Sequence, residues 1–202
     1  LDARTPAVAI VGKSWNLHVA EVLRTSAAEN QAMIADTVRF LKQKGKEVFF
    51  DAEHFFDGFR ADPAFAMQTL FAAREAGADA LVLCDTNGGA LPFEIEEVCT
   101  FVRRSFKVPL GIHAHNDTEC AVANSLAAVR AGAVQVQGTI NGYGERCGNA
   151  NLATIIANLQ LKMKYECLTD DKVRNLTYLS RFVYEIANLP AENKQPFTGK
   201  SA

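Results

Sequence analysis

Short apolar runs alternate along the chain with longer segments in which hydrophobic residues recur at helical spacing. The runs lie at 7–11, 47–51, 80–84, 108–112 and 133–137. They are largely apolar rather than alternating with polar positions, which is typical of strands buried on both faces. The pattern therefore predicts five strands, each followed by one or more helices.

Helix start and stop signals agree with this alternation. Ser26 and Glu29 have the spacing of a capping box, and the helix that they open ends at residue 45. Asp62 and Pro63 open the next helix, which runs to residue 77. Further helices are predicted at 16–23, 92–105, 119–131, 149–162 and 170–187. The residues between 49 and 56 are interpreted as a strand and a packing segment rich in phenylalanine.

The regular alternation of strand and helix predicts an α/β fold with a parallel sheet covered by helices. Both an open doubly wound sheet and a (β/α)₈ barrel fit this pattern. No Gly-x-Gly-x-x-Gly motif follows any strand, which counts against dinucleotide binding. The alternation stops after residue 164. We therefore expect a barrel-like domain at 1–164 and the start of a helical linker or subdomain at 165–202.

Composition excludes several classes of protein. The formal net charge is -2, so the chain lacks the basic surface expected of a nucleic-acid partner. No run approaches the ~18 apolar residues of a membrane span, and no signal-peptide pattern is present. The five cysteines include no Cys-x-x-Cys pair, which indicates a reduced, cytoplasmic protein. The chain begins with Leu and ends without a closing element, so we expect both ends to interrupt a longer protein.

The segment 111–117, Gly-Ile-His-Ala-His-Asn-Asp, is the strongest candidate for a metal site. If the fourth run is a strand, His113 and His115 point the same way with their Cβ atoms ~6.6 Å apart. Imidazole is the commonest protein ligand for borderline divalent metals. The alternative is a pair of hydrogen-bonded histidines at a strand end.

Other polar residues follow the remaining strands, and ligands bind at the carboxyl ends of parallel strands in both candidate architectures. Glu53 lies among phenylalanines, which suits either proton transfer or simple packing. Thr86 could hold a substrate carboxylate or belong to a plain turn. Asn149 could bind a hard cation or cap a helix. Arg146 could form a structural pair with Glu145.

Three motifs resemble the α-isopropylmalate synthase, homocitrate synthase and hydroxymethylglutaryl-CoA lyase family. They are residues 111–117, residues 123–129 (Ala-Asn-Ser-Leu-Ala-Ala-Val) and residues 139–152, which contain Gly-Tyr-Gly-Glu-Arg-Cys-Gly. Residues 12–15, 50–58 and 135–148 are most similar to the citramalate synthase branch. The resemblance covers nearly the whole chain. It implies a TIM barrel of which this chain carries about five βα units, barrel strands four to eight, plus an appended helix.

The resemblance also implies roles for particular residues. It assigns the metal ligands His113, His115 and Asn149, the catalytic carboxylate Glu53, and the substrate-binding residues Thr86, Asp85, Asn87 and Arg146. The cation would be divalent, either Zn, Mn, Mg or Co. Asn116 and Asp117 are expected to orient the ligands. The family's third protein ligand is an Asp on the first barrel strand, which has no counterpart here, and Glu119 stands where many members have Gly.

The implied reaction is a Claisen-type condensation of acetyl-CoA with a 2-oxo acid, pyruvate above all, in branched-chain amino-acid biosynthesis. The resemblance further implies a homodimer. Alternatives are an α-isopropylmalate or homocitrate synthase and a hydroxymethylglutaryl-CoA lyase-like carbon-carbon lyase. A different class of hypothesis is a catalytically incomplete chain that only folds or associates.

Overall fold

The computed structural model describes residues 3–201 and contains one five-stranded parallel sheet. The strands are β1 (Ala7–Lys13), β2 (Glu47–Glu53), β3 (Ala80–Asp85), β4 (Leu110–Ala114) and β5 (Gln135–Gln137). Their order in the sheet is β1-β2-β3-β4-β5, and every neighbouring pair is parallel. This order arises when helical crossovers repeat in one direction, as they do in a (β/α)₈ barrel. The predicted α/β fold with a partial barrel sheet is confirmed.

Nine α-helices lie within residues 3–201. They are α1 (Asn16–His18), α2 (Ala27–Gln43), α3 (Phe55–Ala61), α4 (Pro63–Glu75), α5 (Pro92–Ser105), α6 (Ala121–Arg130), α7 (Leu152–Ala157), α8 (Asp170–Arg174) and α9 (Leu176–Ile186). Single π-helical turns extend α1 and α7, at Val19–Leu23 and Asn158–Lys162. Ser26 accepts a hydrogen bond from the Glu29 N–H, and Asp62 caps α4, as predicted. Between residues 3 and 201, none of these helices is long and apolar enough to cross a membrane.

The main core lies between the sheet and the helices α2, α4 and α5. Phe50 and Leu81 are fully buried on the sheet side, and Val38, Leu70 and Ile95 are fully buried on the helix side. All six residues of β3 are buried, because this strand is central in the sheet and covered on both faces. Burial of each such side chain stabilises the fold by about 1.5–3 kcal/mol.

The strands reach further toward their carboxyl ends than the apolar runs indicate. β1 ends at Lys13, β2 at Glu53 and β3 at Asp85. These polar residues therefore belong to the strands and not to the loops that follow. β4 starts at Leu110 instead of residue 108, since Pro109 has no N–H to donate. It continues to Ala114 and therefore includes His113.

The prediction misses helix α3 because it treats the phenylalanine-rich segment as packing alone. His54 adopts a left-handed conformation (φ 55°) directly after β2, and the chain turns into a helix at Phe55. Phe55 and Phe56 are nevertheless buried, so the packing interpretation is right for their side chains. The left-handed turn is what separates strand from helix, and no hydrophobic pattern encodes it.

The predicted helix at 149–162 begins later, at Leu152. Asn149 and Asn151 lie in isolated β-bridges to His115 and Thr139, which hold this segment extended. Asn151 caps α7 by accepting a hydrogen bond from the Ala153 N–H. The cap is therefore Asn151, and the side chain of Asn149 is left for another role.

Two other predicted helices also differ in detail. The helix predicted at 119–131 starts at Ala121, because Glu119 has a left-handed conformation (φ 60°) that helices exclude. The helix predicted at 170–187 is split into α8 and α9 at Asn175.

Helix α9 contacts the turn after β5 through two hydrogen bonds between Ser180 and Asn141. The domain division at residue 164 stays a prediction.

Gly58 provides a test of how α3 packs. A Cβ atom at this position would lie 2.1 Å from the Ser14 carbonyl oxygen, which is backbone and cannot move aside cheaply. We expect Gly58→Ala to lower the free energy of unfolding by about 2 kcal/mol or more, measured by urea denaturation. Gly89→Ala is the control, because a Cβ there meets nothing within 4 Å. Equal stability of the two variants would contradict this packing.

Candidate active site

His113 and His115 converge at the carboxyl end of β4. Their Nε2 atoms are 3.4 Å apart, and both side chains lie on the same side of the strand, as the alternation predicts. The His115 N–H donates to the Asp85 carbonyl, which ties this histidine to the end of β3. Burial lowers the pKa of His115, and neighbouring His113 lowers it further. A neutral imidazole is the form that binds a metal.

Asn149 lies beside this pair through its β-bridge to His115. Its amide nitrogen donates to the Tyr143 carbonyl, and its Oδ1 atom is buried without a hydrogen-bond partner in the described structure. A buried amide oxygen without a donor costs free energy unless a ligand satisfies it. Across residues 3–201, no three His, Cys, Asp or Glu side chains converge at metal-binding distance. The groups here that could hold a divalent cation are the two imidazoles and the amide oxygen of Asn149.

The side chain of Gln137 contacts His113, which sequence reasoning missed. The Oε1 atom of Gln137 lies 3.0 Å from Nδ1 of His113, and its Nε2 atom donates to Oδ1 of Asp51 at 2.9 Å. Burial raises the pKa of Asp51, and the hydrogen bond from Gln137 offsets part of this effect. A glutamine directly before a glycine carries no sequence signal of such a role.

The side chains of Asn116 and Asp117, the predicted orienting residues, hydrogen-bond to other groups. Asn116 accepts a hydrogen bond from the Ala121 N–H at the start of α6. Asp117 accepts two hydrogen bonds from Arg146, at 2.8 Å from Nε and 3.0 Å from Nη2. Neither side chain hydrogen-bonds to an imidazole in the described residues, so their orienting role stays a prediction.

Arg146 joins three strand-end loops. Besides Asp117 after β4, its Nη2 atom donates to the Thr86 carbonyl after β3 at 2.7 Å. Its contact with Glu145 is longer, at 3.5 Å, so the Glu–Arg pair considered from the sequence is the weaker interaction. The hydrogen bond from Arg146 holds the pKa of Asp117 below its usual range. Direct substrate binding by Arg146 stays a prediction.

Glu53 ends β2 opposite Lys13, the last residue of β1. The Lys13 ammonium group forms a salt bridge with the Glu53 carboxylate, and both side chains are about one quarter exposed or less. The sequence suggested that aromatic rings surround this carboxylate. The structure replaces that environment with a lysine, while Phe55 and Phe56 turn into the core.

Thr86 and Asn87 follow β3 at the same end of the sheet. The Thr86 hydroxyl oxygen accepts a hydrogen bond from the His54 N–H at 2.8 Å, which leaves its own hydrogen free to donate elsewhere. Asn87 is exposed and its amide donates to Asp57 at 2.9 Å. Thr86 thus has the geometry of a donor to a ligand, and Asn87 stays a prediction as a substrate contact.

The structure places Asp85 differently from the prediction. Its side chain is only 2% exposed. Its carboxylate accepts hydrogen bonds from the N–H groups of Gly89 and Ala90 and from the amide of Asn124. These contacts hold the loop that presents Thr86, and they occupy both carboxylate oxygens. Burial raises the pKa of Asp85 to about 6.

A second pair of histidines lies near the ends of β1 and β2. The rings of His18 and His54 meet edge to face with centroids 4.3 Å apart, and Trp15 stacks on His18 at 4.9 Å. Nδ1 of His54 lies 3.3 Å from the Asp57 carboxylate. Burial lowers the pKa of His18, and His54 adds to this effect. Sequence reasoning missed this cluster because His18 and His54 are far apart in the chain.

Comparisons with known proteins identify the family of the chain. The HMGL-like family model matches residues 1–183. The chain belongs to the HMGL-like family. It is 57% identical over 202 residues to an (R)-citramalate synthase of Geobacter sulfurreducens, and 57% identical over 210 residues to one of Synechocystis. Both matches cover 100% of this chain, which spans 38% of the length of each relative.

The fold of this HMGL-like chain is also that of solved structures. The HMG-CoA lyase of Bacillus subtilis matches with a TM-score of 0.80 at 20% identity. The match covers 96% of this chain and 68% of the lyase. At this identity the likeness shows the shared fold.

Asp85 gives this HMGL-like chain a pH dependence that can be measured. Its raised pKa means that the protonated carboxyl contributes stability below its ordinary value of 3.8, and that this contribution is lost as the pH rises through about 6. Between pH 4.5 and 7.5 we expect the unfolding free energy to fall by about 2 kcal/mol more in the parent than in Asp85→Asn. Urea denaturation at the two pH values measures this difference.

The control for this experiment is Asp36→Asn, which removes a carboxylate at an exposed position of α2. It should keep the pH dependence of the parent protein. If Asp85→Asn also keeps it, the burial of Asp85 does not govern the pH response.

Proposed function

We propose that this chain supplies part of the active site of an acyltransferase that condenses acetyl-CoA with a 2-oxo acid, with pyruvate as the expected acceptor. The observation that carries the proposal is the convergence of the His113 and His115 imidazoles at one end of the sheet, with Asn149 bridged to His115. Glu53 and Thr86 lie at the ends of neighbouring strands. The identity to (R)-citramalate synthases supports pyruvate over other 2-oxo acids.

In this proposal His113, His115 and Asn149 hold a divalent cation. Two imidazoles with an amide oxygen suit Zn, Mn or Co, and further oxygen ligands would admit Mg. When bound, the cation supplies Lewis-acid polarisation of the ketone and stabilises the negative charge that develops on its oxygen. Because burial favours neutral His115, this histidine is ready to bind without first losing a proton.

Thr86 binds the carboxylate of the 2-oxo acid. Its hydroxyl oxygen is occupied by the His54 N–H, so its hydrogen can donate to the substrate. Arg146 holds the Thr86 carbonyl and Asp85 holds the loop that follows, so the hydroxyl is fixed from both sides. Such orientation of a substrate before the reaction is worth several kcal/mol in favourable cases.

Glu53 takes part in the proton transfer that turns the methyl group of acetyl-CoA into a nucleophile. Its carboxylate lies at the open end of the sheet, and the salt bridge with Lys13 fixes its position. A positioned carboxylate of this kind commonly contributes 10²–10⁴-fold to the rate. Subsequent hydrolysis of the thioester releases free CoA, which carries a thiol that can be measured.

Thiol release tests this proposed reaction. The full-length protein, incubated with acetyl-CoA and separately with pyruvate, 2-oxoisovalerate or 2-oxoglutarate, should release CoA with pyruvate. Release with none of the three would overturn the acyltransferase. Release with only one of the other two acids would make the protein an α-isopropylmalate or a homocitrate synthase.

Glu53→Gln tests the proton transfer within the same assay. We expect thiol release to fall by about 100-fold or more, because the amide cannot accept the proton. Glu47→Gln changes the same residue type at the other end of β2, far from the site along the strand, and should leave the rate unchanged. A Glu53→Gln variant with the parent rate would remove this residue from the mechanism.

Metal titration tests the proposed ligands independently of the reaction. Calorimetry with Zn²⁺, Mn²⁺, Co²⁺ and Mg²⁺ should show binding to the parent chain by at least one of these ions, and His115→Ala should abolish it. His18→Ala removes a histidine from the second cluster and should leave the affinity unchanged. Unchanged affinity in His115→Ala would remove this residue from the ligand set.

A further inference from the structure

A chain of hydrogen bonds leads from His113 across the inside of the sheet to Asp51. His113 lies on β4, Gln137 on β5 and Asp51 on β2. In the sheet, β3 and β4 separate β2 from β5, so a flat sheet would hold the two strands about 14 Å apart. The 2.9 Å contact between Gln137 and Asp51 forms because the sheet curls and brings their side chains together on its concave side.

The direction of these hydrogen bonds is fixed by chemistry. A carboxylate can only accept, so the Gln137 amide must turn its nitrogen toward Asp51 and its oxygen toward His113. The amide oxygen can only accept, so Nδ1 of His113 must carry the hydrogen. Nε2 of His113 then keeps its lone pair on the side of His115, where the cation is proposed to bind.

We propose that Asp51 and Gln137 are positioning residues of the metal site: Asp51 orients the Gln137 amide, and Gln137 holds His113 in the tautomer and ring orientation that metal binding requires. This inference rests on the proposed metal site and extends it by two residues. Metal-bound histidines usually donate their second N–H to a carboxylate or carbonyl, directly fixing the ring. In this chain an amide is inserted between the histidine and the carboxylate.

Gln135 shows that the arrangement is specific to Gln137. It lies two residues earlier on β5, so its side chain leaves the strand on the same face. Its Oε1 atom is buried without a hydrogen-bond partner in the described part of the chain, whereas Gln137 uses both ends of its amide. Gln135 is therefore a matched control of the same residue type, strand and face.

The first experiment compares Gln137→Leu with Gln135→Leu in two measurements. Long-range ¹H–¹⁵N NMR of the metal-free protein reports the tautomer of His113, and calorimetry reports the affinity for Zn²⁺ or Co²⁺. Gln137→Leu should lose the Nδ1–H signature and weaken metal binding by about 10–100-fold. Gln135→Leu should keep both. A parent His113 with its hydrogen on Nε2, or a Gln137→Leu variant with unchanged tautomer and affinity, would overturn the proposal.

The second experiment exchanges the carboxylate of position 51 and the amide of position 137. Gln137→Glu alone places a carboxylate against Asp51 and should weaken metal binding through repulsion between like charges. The double variant Asp51→Asn/Gln137→Glu restores a donor and acceptor pair, now with the amide on β2 and the carboxylate beside His113. We expect it to recover metal affinity to within about threefold of the parent. A double variant as weak as Gln137→Glu would overturn the coupling between positions 51 and 137.

These readouts separate this inference from the proposed function. If the parent binds none of the tested cations, the metal site fails, but the NMR comparison still decides whether Gln137 fixes the His113 tautomer. If the parent binds metal and both leucine variants bind equally well, the metal site stands and the positioning role fails.

Discussion

Parallel register between β3 and β4 determines where the two imidazoles lie relative to Thr86. Cys84 pairs with His113, and one step further the Asp85 carbonyl accepts the His115 N–H. The loop that presents Thr86 and the two histidines are thereby held at one height along the sheet. Because the side chains of a strand alternate between its faces, a shift of one residue in this register would turn both imidazoles away from Thr86.

Arg146 provides a second constraint, which acts on the loops at the carboxyl ends of the strands. Its guanidinium binds Asp117 with two hydrogen bonds and the Thr86 carbonyl with a third, so it links the loops after β3, β4 and β5. A lysine could not form this planar pair of hydrogen bonds, because its ammonium group acts as a point charge. The sequence pattern Gly-x-Gly-Glu-Arg thus encodes a clamp between loops, in which Asp117 is the main partner.

The features that could be predicted from the sequence are those that depend on neighbours along the chain. His113 and His115 are two residues apart on a strand, so their common direction follows from the alternation of side chains. Gln137 reaches Asp51 across 86 residues and across a curved sheet, and no local pattern contains that curvature. The left-handed turn at His54 and the bridges at Asn149 depend likewise on tertiary contacts, which is why α3 and the start of α7 were missed.

The outermost strands have a consequence for handling the protein. Within residues 3–201, β1 and β5 each pair with a single strand, and Val11 on β1 is 66% exposed. Unpaired N–H and C=O groups along such an edge can accept any extended segment that reaches them, including one from a neighbouring molecule. Self-association along β1 is therefore expected to increase with protein concentration.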